Sequence, residues 1–210
     1  MKNYSLIIWD FNGTLLDDVK AALSCVNDML ERRKRSPITI EEYREHIDVP
    51  IRCFYEHFFD LENEVYEELL PEYQKGYEYH LKQCGLTEYA LEALELAKSK
   101  NIPQIILSSS QQSQIERLLD KYNILDYFDA VLGADNLLAG SKLERAKDYI
   151  SEHGIDSSNT LVVGDLIHDY EVAEAISAAC FLITSGHQDR KKLETVAARV
   201  EDSLKCLIDE

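Results

Sequence analysis

The sequence predicts an α/β fold: a parallel sheet with helices on both faces, interrupted by a long helical insertion. Three observations predict it. Short apolar runs each end in a polar residue or a glycine, segments of helical period separate these runs, and one long stretch, residues 16–85, interrupts the alternation. Strand and helix in alternation imply parallel strands, because each return crossover needs a helix packed on the sheet.

The first run, residues 5–9, is Ser-Leu-Ile-Ile-Trp and breaks at Asp10 and Gly13, which reads as a buried parallel strand with an exposed carboxyl end. Residues 104–107 break into three serines, 130–132 into Gly133, and 160–163 into Gly164-Asp165; residues 180–183 make a fifth strand. Between them, Ile115, Leu118, Leu119 and Tyr122, then Leu143, Ala146, Tyr149 and Ile150, then Val172, Ala175, Ile176 and Ala179, recur every three or four positions as helices do. Within 16–85 no strand is expected. Leu15, Val19, Ala22, Leu23, Val26, Met29 and Leu30 form one amphipathic helix, Thr39-x-x-Glu42 is a capping box for the next, and Pro37, Pro50 and Pro71 mark turns. The expected division is a core of residues 1–15 and 86–210 and a helical cap of 16–85. Because the insertion follows the first strand directly, it should sit over the sheet's carboxyl edge, where open α/β proteins bind ligands.

Composition narrows the function. The 210 residues are 45% apolar, with eight glycines and four prolines, a globular balance. A net charge of −17 repels nucleic-acid phosphates and anionic lipid, so neither is an expected partner. The longest apolar run near the start is far too short for a bilayer span. Five cysteines, widely spaced and without a C-x-x-C pair, suggest neither a disulfide framework nor structural zinc, and a reducing cytoplasm is the expected location.

Asp10 ends the first strand, while Asp165 and Asp169 follow the fourth within Gly164-Asp165-Leu166-Ile167-His168-Asp169. Read singly, aspartates after strands are helix caps or turn formers. Three of them at one sheet edge form an all-oxygen cluster that needs a cation, and Mg²⁺ suits it. The ordered set Asp10-Phe11-Asn12-Gly13-Thr14-Leu15-Leu16-Asp17, Ser108, Lys142 and Gly164-Asp165-x-x-x-Asp169 resembles the haloacid dehalogenase superfamily across essentially the whole chain. The resemblance implies a Rossmann-like three-layer core, and the helical insertion is similar to the small α-helical cap of its phosphoglycolate phosphatase and β-phosphoglucomutase branch. The resemblance implies Mg²⁺-dependent hydrolysis of a small phosphate monoester, a small phosphorylated metabolite, through an aspartyl-phosphate. It implies Asp10 as nucleophile and Lys142 and Ser108 as catalytic groups on the phosphoryl oxygens. Phe11, Gly13 and Ser109 would bind substrate, and Asp10, the Asn12 carbonyl, Asp165 and Asp169 would hold the metal.

Asn12 departs from the pattern, since the phosphatases resembled usually carry an acid there that protonates the leaving oxygen. An amide cannot exchange that proton, a loss commonly worth roughly 10²–10⁴ in rate. A slow hydrolase, restriction to good leaving groups, or a proton from Asp17, Asp18 or water each accommodates it, and Asn12→Asp should raise activity on alkyl phosphates. A phosphonatase with a Schiff-base lysine at Lys75 or Lys82, a non-catalytic phosphate- or phosphoprotein-binding member and a receiver-type domain are the alternative functions. In the cap, Arg52 after Val49-Pro50-Ile51 could hold a second anionic group. His168 is expected to face solvent. His46, His57, His80, His153 and His187 share no spacing and take no role, and Tyr66, Tyr73, Tyr77 and Tyr79 are expected to pack.

Overall fold

A computed structural model of the chain describes residues 1–2, 4–134 and 142–209. The elements run β1 (Leu6–Trp9), β2 (Leu16–Asp17), α1 (Val19–Arg32), α2 (Ile40–His46), α3 (Arg52–Phe58), α4 (Tyr66–His80), β3 (Gly85–Leu86), α5 (Ala90–Ser99) and β4 (Gln104–Gln111). They continue through α6 (Gln112–Tyr122), β5 (Ala130–Ala134), α7 (Lys142–His153), β6 (Thr160–Gly164), α8 (Ile167–Ala175), β7 (Ala179–Ile183), α9 (Arg190–Leu193), β8 (Arg199–Glu201) and α10 (Lys205–Ile208).

Six strands form one parallel sheet in the order β5-β4-β1-β6-β7-β8. The fold is the α/β, Rossmann-like three-layer arrangement. β1 is central because all four of its residues are apolar, as a strand covered on both faces must be. Its side chains alternate between two cores. Leu6 and Ile8 join Ile105, Leu107 and Val162 with Val172 of α8 and Ala146 of α7. Ile7 and Trp9 join Ile106, Leu161, Val163 and Phe181 with Leu94 of α5 and Ile115 of α6. Trp9 keeps its indole N–H satisfied in this dry layer by donating to the Gln104 side chain at 3.0 Å.

Several local expectations are corrected. β4 runs on through the serines to Gln111, with a register irregularity between Leu107 and Gln111. β8 adds a sixth strand that the pattern does not predict, because its three residues are exposed or half-buried and carry no alternation. The helical period read through Ala179 stops at Ala175; Ser177 takes φ +60° and Ala179 opens β7. The insertion is not strand-free, since β2 and β3 pair antiparallel at its two ends. Pro71 lies inside α4 and marks no turn. α4 packs along α1, burying Leu69 and Tyr77, and this tertiary contact outweighs the proline's missing N–H. The capping box is present: Thr39 Oγ1 accepts from Glu42 N at 3.2 Å, and the Glu42 carboxylate accepts from Thr39 N at 2.7 Å. Among the described residues, no helix is long and apolar enough to cross a membrane.

Candidate active site

The strand order puts the ends of β4, β1 and β6 side by side, so Ser108, Asp10 and Asp165 reach one edge from three sequence-distant segments. Asp10 N donates to Val163 O at 2.8 Å, which extends the β1–β6 pairing by one residue and fixes where the Asp10 side chain starts. One oxygen from each of Asp10, Asp165 and Asp169 lies within 4.8 Å of the others, and all three residues are buried. Lys142, at the start of α7, places its ammonium against Asp10 Oδ1 and 2.6 Å from Asp169 Oδ1.

Each carboxylate has its own support. Asp169 Oδ2 accepts from the backbone N–H groups of Asp165 and Leu166, at 3.1 and 3.0 Å, which ties the first turn of α8 to the end of β6. Asp165 accepts from Thr14 Oγ1 at 3.0 Å and from His187 N at 2.6 Å. Gly13 has φ +77°, and a Cβ there would fall 2.3 Å from Asp165 Oδ2. Gly13→Ala should therefore lower stability by about 2–3 kcal/mol, or roughly 5–10 °C in Tm. Gly85→Ala, with nothing within 4 Å of its Cβ, is the comparison and should leave Tm unchanged. Equal shifts in the two variants would refute the crowding argument.

Electrostatics set this cluster apart. Burial pushes the Asp10 carboxyl up to about 8; Lys142 pulls it down, and Asp169 and Asp165 push it further up. Burial also lifts Asp165 to about 6, with His187 opposing and Asp169 adding. Lys142 is raised above the usual lysine range, because Asp10 and Asp169 outweigh its burial. Three buried carboxylates share one ammonium, which bonds Asp10 and Asp169 and leaves Asp165 to Thr14 and His187 N, so the cluster is short of positive charge, and every facing donor is a hard oxygen. That donor set fits a divalent, oxygen-preferring cation such as Mg²⁺.

A second buried network adjoins the first, and sequence reasoning missed most of it. Asp18, 1% exposed, accepts from Gly13 N at 2.7 Å, from Asn12 Nδ2 at 2.9 Å and from the Tyr77 hydroxyl; His187 Nε2 lies 3.3 Å away. His187 Nδ1 meets the Tyr43 hydroxyl at 2.9 Å. Burial acts to lower the His187 imidazole, but the Asp18 carboxylate overcomes it and carries it to about 9. Asp18 answers in kind, held below the usual carboxylate range by His187 against the pull of burial. Asn12 closes the circuit: its Oδ1 accepts from Ser110 Oγ at 2.7 Å.

The other sequence candidates sit as follows. Phe11 is fully buried, so only its backbone could face a ligand. Ser108 is 1% exposed; its hydroxyl accepts from Ser110 N at 3.1 Å and its carbonyl from Arg145 at 2.8 Å. Ser109 is exposed, and it is Ser110 that reaches Asn12. The Gly13 N–H is engaged by Leu16 O and Asp18. Arg52 is not brought to the cluster: it pairs with Glu56 on the surface of α3, 2.8 Å away, beside Tyr66. His168 turns to Glu171, outside the site. Tyr77 and His187, given no role from sequence, are site neighbours, and Tyr79 is exposed rather than packed. Nothing in the spacing of the histidines could have found His187. The loop after β7 carries it there, where Gly186 lies so close to Asp165 that a Cβ would fall 2.3 Å from it.

Known proteins resemble the chain in sequence and in fold. The chain is 26% identical over 197 residues to a phosphoglycolate phosphatase of Neisseria gonorrhoeae, covering 90% of this chain and 84% of that one. It is also 26% identical over 216 residues to phosphoglycolate phosphatase 1 of Pseudomonas aeruginosa, covering 97% and 78%. A haloacid dehalogenase-like family hydrolase from Streptococcus pneumoniae superposes with TM-score 0.84 at 17% identity, covering 99% of this chain and 98% of that one. Residues 7–183, from β1 through β7, match the haloacid dehalogenase-like hydrolase family. Because that match spans most of the chain, the chain belongs to the haloacid dehalogenase-like hydrolases.

Proposed function

We propose that this hydrolase is a Mg²⁺-dependent phosphatase that cleaves a small phosphate monoester through an aspartyl-phosphate on Asp10. The observation that carries the reading is the buried trio Asp10, Asp165 and Asp169, with Lys142 bonded to two of its members. The Neisseria and Pseudomonas relatives named as phosphoglycolate phosphatases support it and put phosphoglycolate first among substrates to try.

Asp10, Asp165, Asp169 and the Asn12 carbonyl would hold the cation. When bound, it offsets the repulsion between the nucleophile and the anionic substrate and polarises the phosphoryl oxygens. Asp10 is already oriented by its backbone bond to Val163 and by Lys142. In the first step an Asp10 carboxylate oxygen forms the O–P bond as the ester O–P bond breaks; in the second, water takes the phosphoryl group and restores Asp10. Lys142 stays protonated and stabilises charge on Asp10 and on the transferring group. Its burial means that it does so at low dielectric. Ser108 and Ser109 at the end of β4 are the remaining phosphoryl-binding candidates.

The leaving oxygen takes its proton from water, because the Asn12 amide cannot supply one, and the water that attacks in the second step returns a proton to solvent. Turnover should accordingly depend on the leaving group, with aryl phosphates favoured over alkyl ones. Residues 1–15 and 86–210 would form the catalytic core and 16–85 the cap, a division supported by the β2–β3 pair where the chain crosses between them. A closed cap excludes water from the first step and selects the leaving group. The test is phosphate release from nitrophenyl phosphate and from a panel of phosphorylated metabolites, with Mg²⁺ and with EDTA. Mg²⁺-dependent release is expected, together with a Tm that rises with Mg²⁺; at about 100 times its Kd a ligand adds roughly 2.7 kcal/mol. Release that persists unchanged in EDTA would overturn the proposal.

A further inference from the structure

We infer that Asn12 is a positioning residue whose amide joins the nucleophile loop to the helical insertion through Asp18 and Tyr77, and that an acid at this position would break the join. The inference rests on the phosphatase reading above. It reverses the expectation that Asn12→Asp repairs a missing proton donor.

Three of the four hydrogen-bonding positions of the Asn12 amide are used among the described residues, both N–H groups included. Nδ2 donates to Asp18 Oδ2 at 2.9 Å and to the Tyr77 hydroxyl at 2.7 Å, while Oδ1 accepts from Ser110 Oγ at 2.7 Å. The orientation is dictated by chemistry, since a flipped amide would set its oxygen against a carboxylate. The Tyr77 hydroxyl donates to Asp18 Oδ2, so towards residue 12 it presents a lone pair. Asp18 is met by Gly13 N–H and His187 as well, and it offers residue 12 only an acceptor. Both groups that face Nδ2 therefore need a donor. A carboxylate at 12 would place oxygen against oxygen in two contacts, inside a network where Asp18 is 1% exposed and Tyr77 6% exposed.

The consequence is geometric. Tyr77 belongs to α4 in the insertion, Ser110 to β4, and Asn12 lies two residues from Asp10. A single amide thus links the insertion, the central sheet and the loop that aims the nucleophile. Tyr43 of α2 makes a parallel contact through His187, 2.9 Å from its hydroxyl, so two helices of the insertion reach this network by buried hydroxyls.

The test is a cycle of Asn12→Asp, Asp18→Asn and the exchanged pair, with Tyr77→Phe beside them. The full-length protein with Mg²⁺ is assayed on nitrophenyl phosphate and on an alkyl phosphate, and each variant is melted without substrate. Asn12→Asp should lower Tm and reduce kcat/KM by about tenfold or more on both substrates; the exchanged pair, in which acceptor and donor trade places, should recover most of the Tm and about threefold or more of the rate. Recovery of Tm without recovery of rate in the exchanged pair would make the bond structural only and would overturn the positioning role. Tyr77→Phe removes one oxygen and should raise KM by about threefold with kcat nearly unchanged, because it loosens the join without touching Asp10. A gain of alkyl-phosphate turnover in Asn12→Asp, or losses that simply add in the exchanged pair, would overturn the inference. Should Asn12→Asp fail to fold, Tyr77→Phe decides, and an unchanged KM and Tm there would overturn it. If the wild-type protein hydrolyses neither ester, the phosphatase reading fails, and the melting cycle alone still decides the pairing.

Discussion

Asp10→Asn should abolish turnover of aryl phosphates, by about 10⁴-fold or more, while leaving the protein folded. The substitution keeps shape and volume but removes the only oxygen pair that ends β1 inside the cluster. An amide is too weak a nucleophile to form the phosphoryl ester, and it brings one negative charge fewer to any bound cation. Stability should hold or rise, because the buried carboxylate that burial pushes up to about 8 is gone and Lys142 keeps Asp169, 2.6 Å away. Nitrophenol release and a melting curve on the same preparation check both halves. Retention of more than about one per cent of wild-type activity would require another nucleophile and would sink the aspartyl-phosphate mechanism.

Lys142→Met should be the most destabilising single change in the site, by about 3–5 kcal/mol at pH 8, since it strips the cation from two buried carboxylates. Its side chain is 4% exposed and those of Asp10 and Asp169 are 9% and 1% exposed, so water cannot replace it. The pH dependence has a definite sign. Asp10 is raised in the fold, from the ordinary 3.8 to about 8, so the folded chain holds its proton more tightly than the unfolded chain does. This group therefore favours folding at low pH and loses that contribution as pH climbs from about 4 to about 8. Without Lys142 the carboxyl is raised further still, and the deficit of the variant should shrink at pH 5 and widen at pH 8. Urea unfolding at the two pH values, with and without Mg²⁺, measures it, and added Mg²⁺ should recover part of the loss. A deficit that does not vary with pH would mean that the ammonium acts only through packing.

Legibility differed between backbone and site for a physical reason. The strand runs at 5–9, 104–107 and 160–163 were readable because a strand buried on both faces must be continuously apolar, and the polar residue that ends it marks the sheet edge. β8 and the β2–β3 pair escaped because two or three half-exposed residues carry no periodic signal. Pro71 marks no turn because packing of α4 on α1 overrides the proline's local propensity.

The sequence by itself determined the α/β class, the parallel order of strand and helix, and the gathering of Asp10, Asp165 and Asp169 at one edge. These follow from pattern and topology, which are properties of the chain taken in order. Only the tertiary structure decided that Asp18, Tyr77 and Ser110 surround Asn12, that His187 meets Asp18, and that Arg52 stays at the surface with Glu56. A hydrogen-bond partner is chosen by position in three dimensions and by the need of each buried donor to meet an acceptor, and neither condition leaves a period in the sequence.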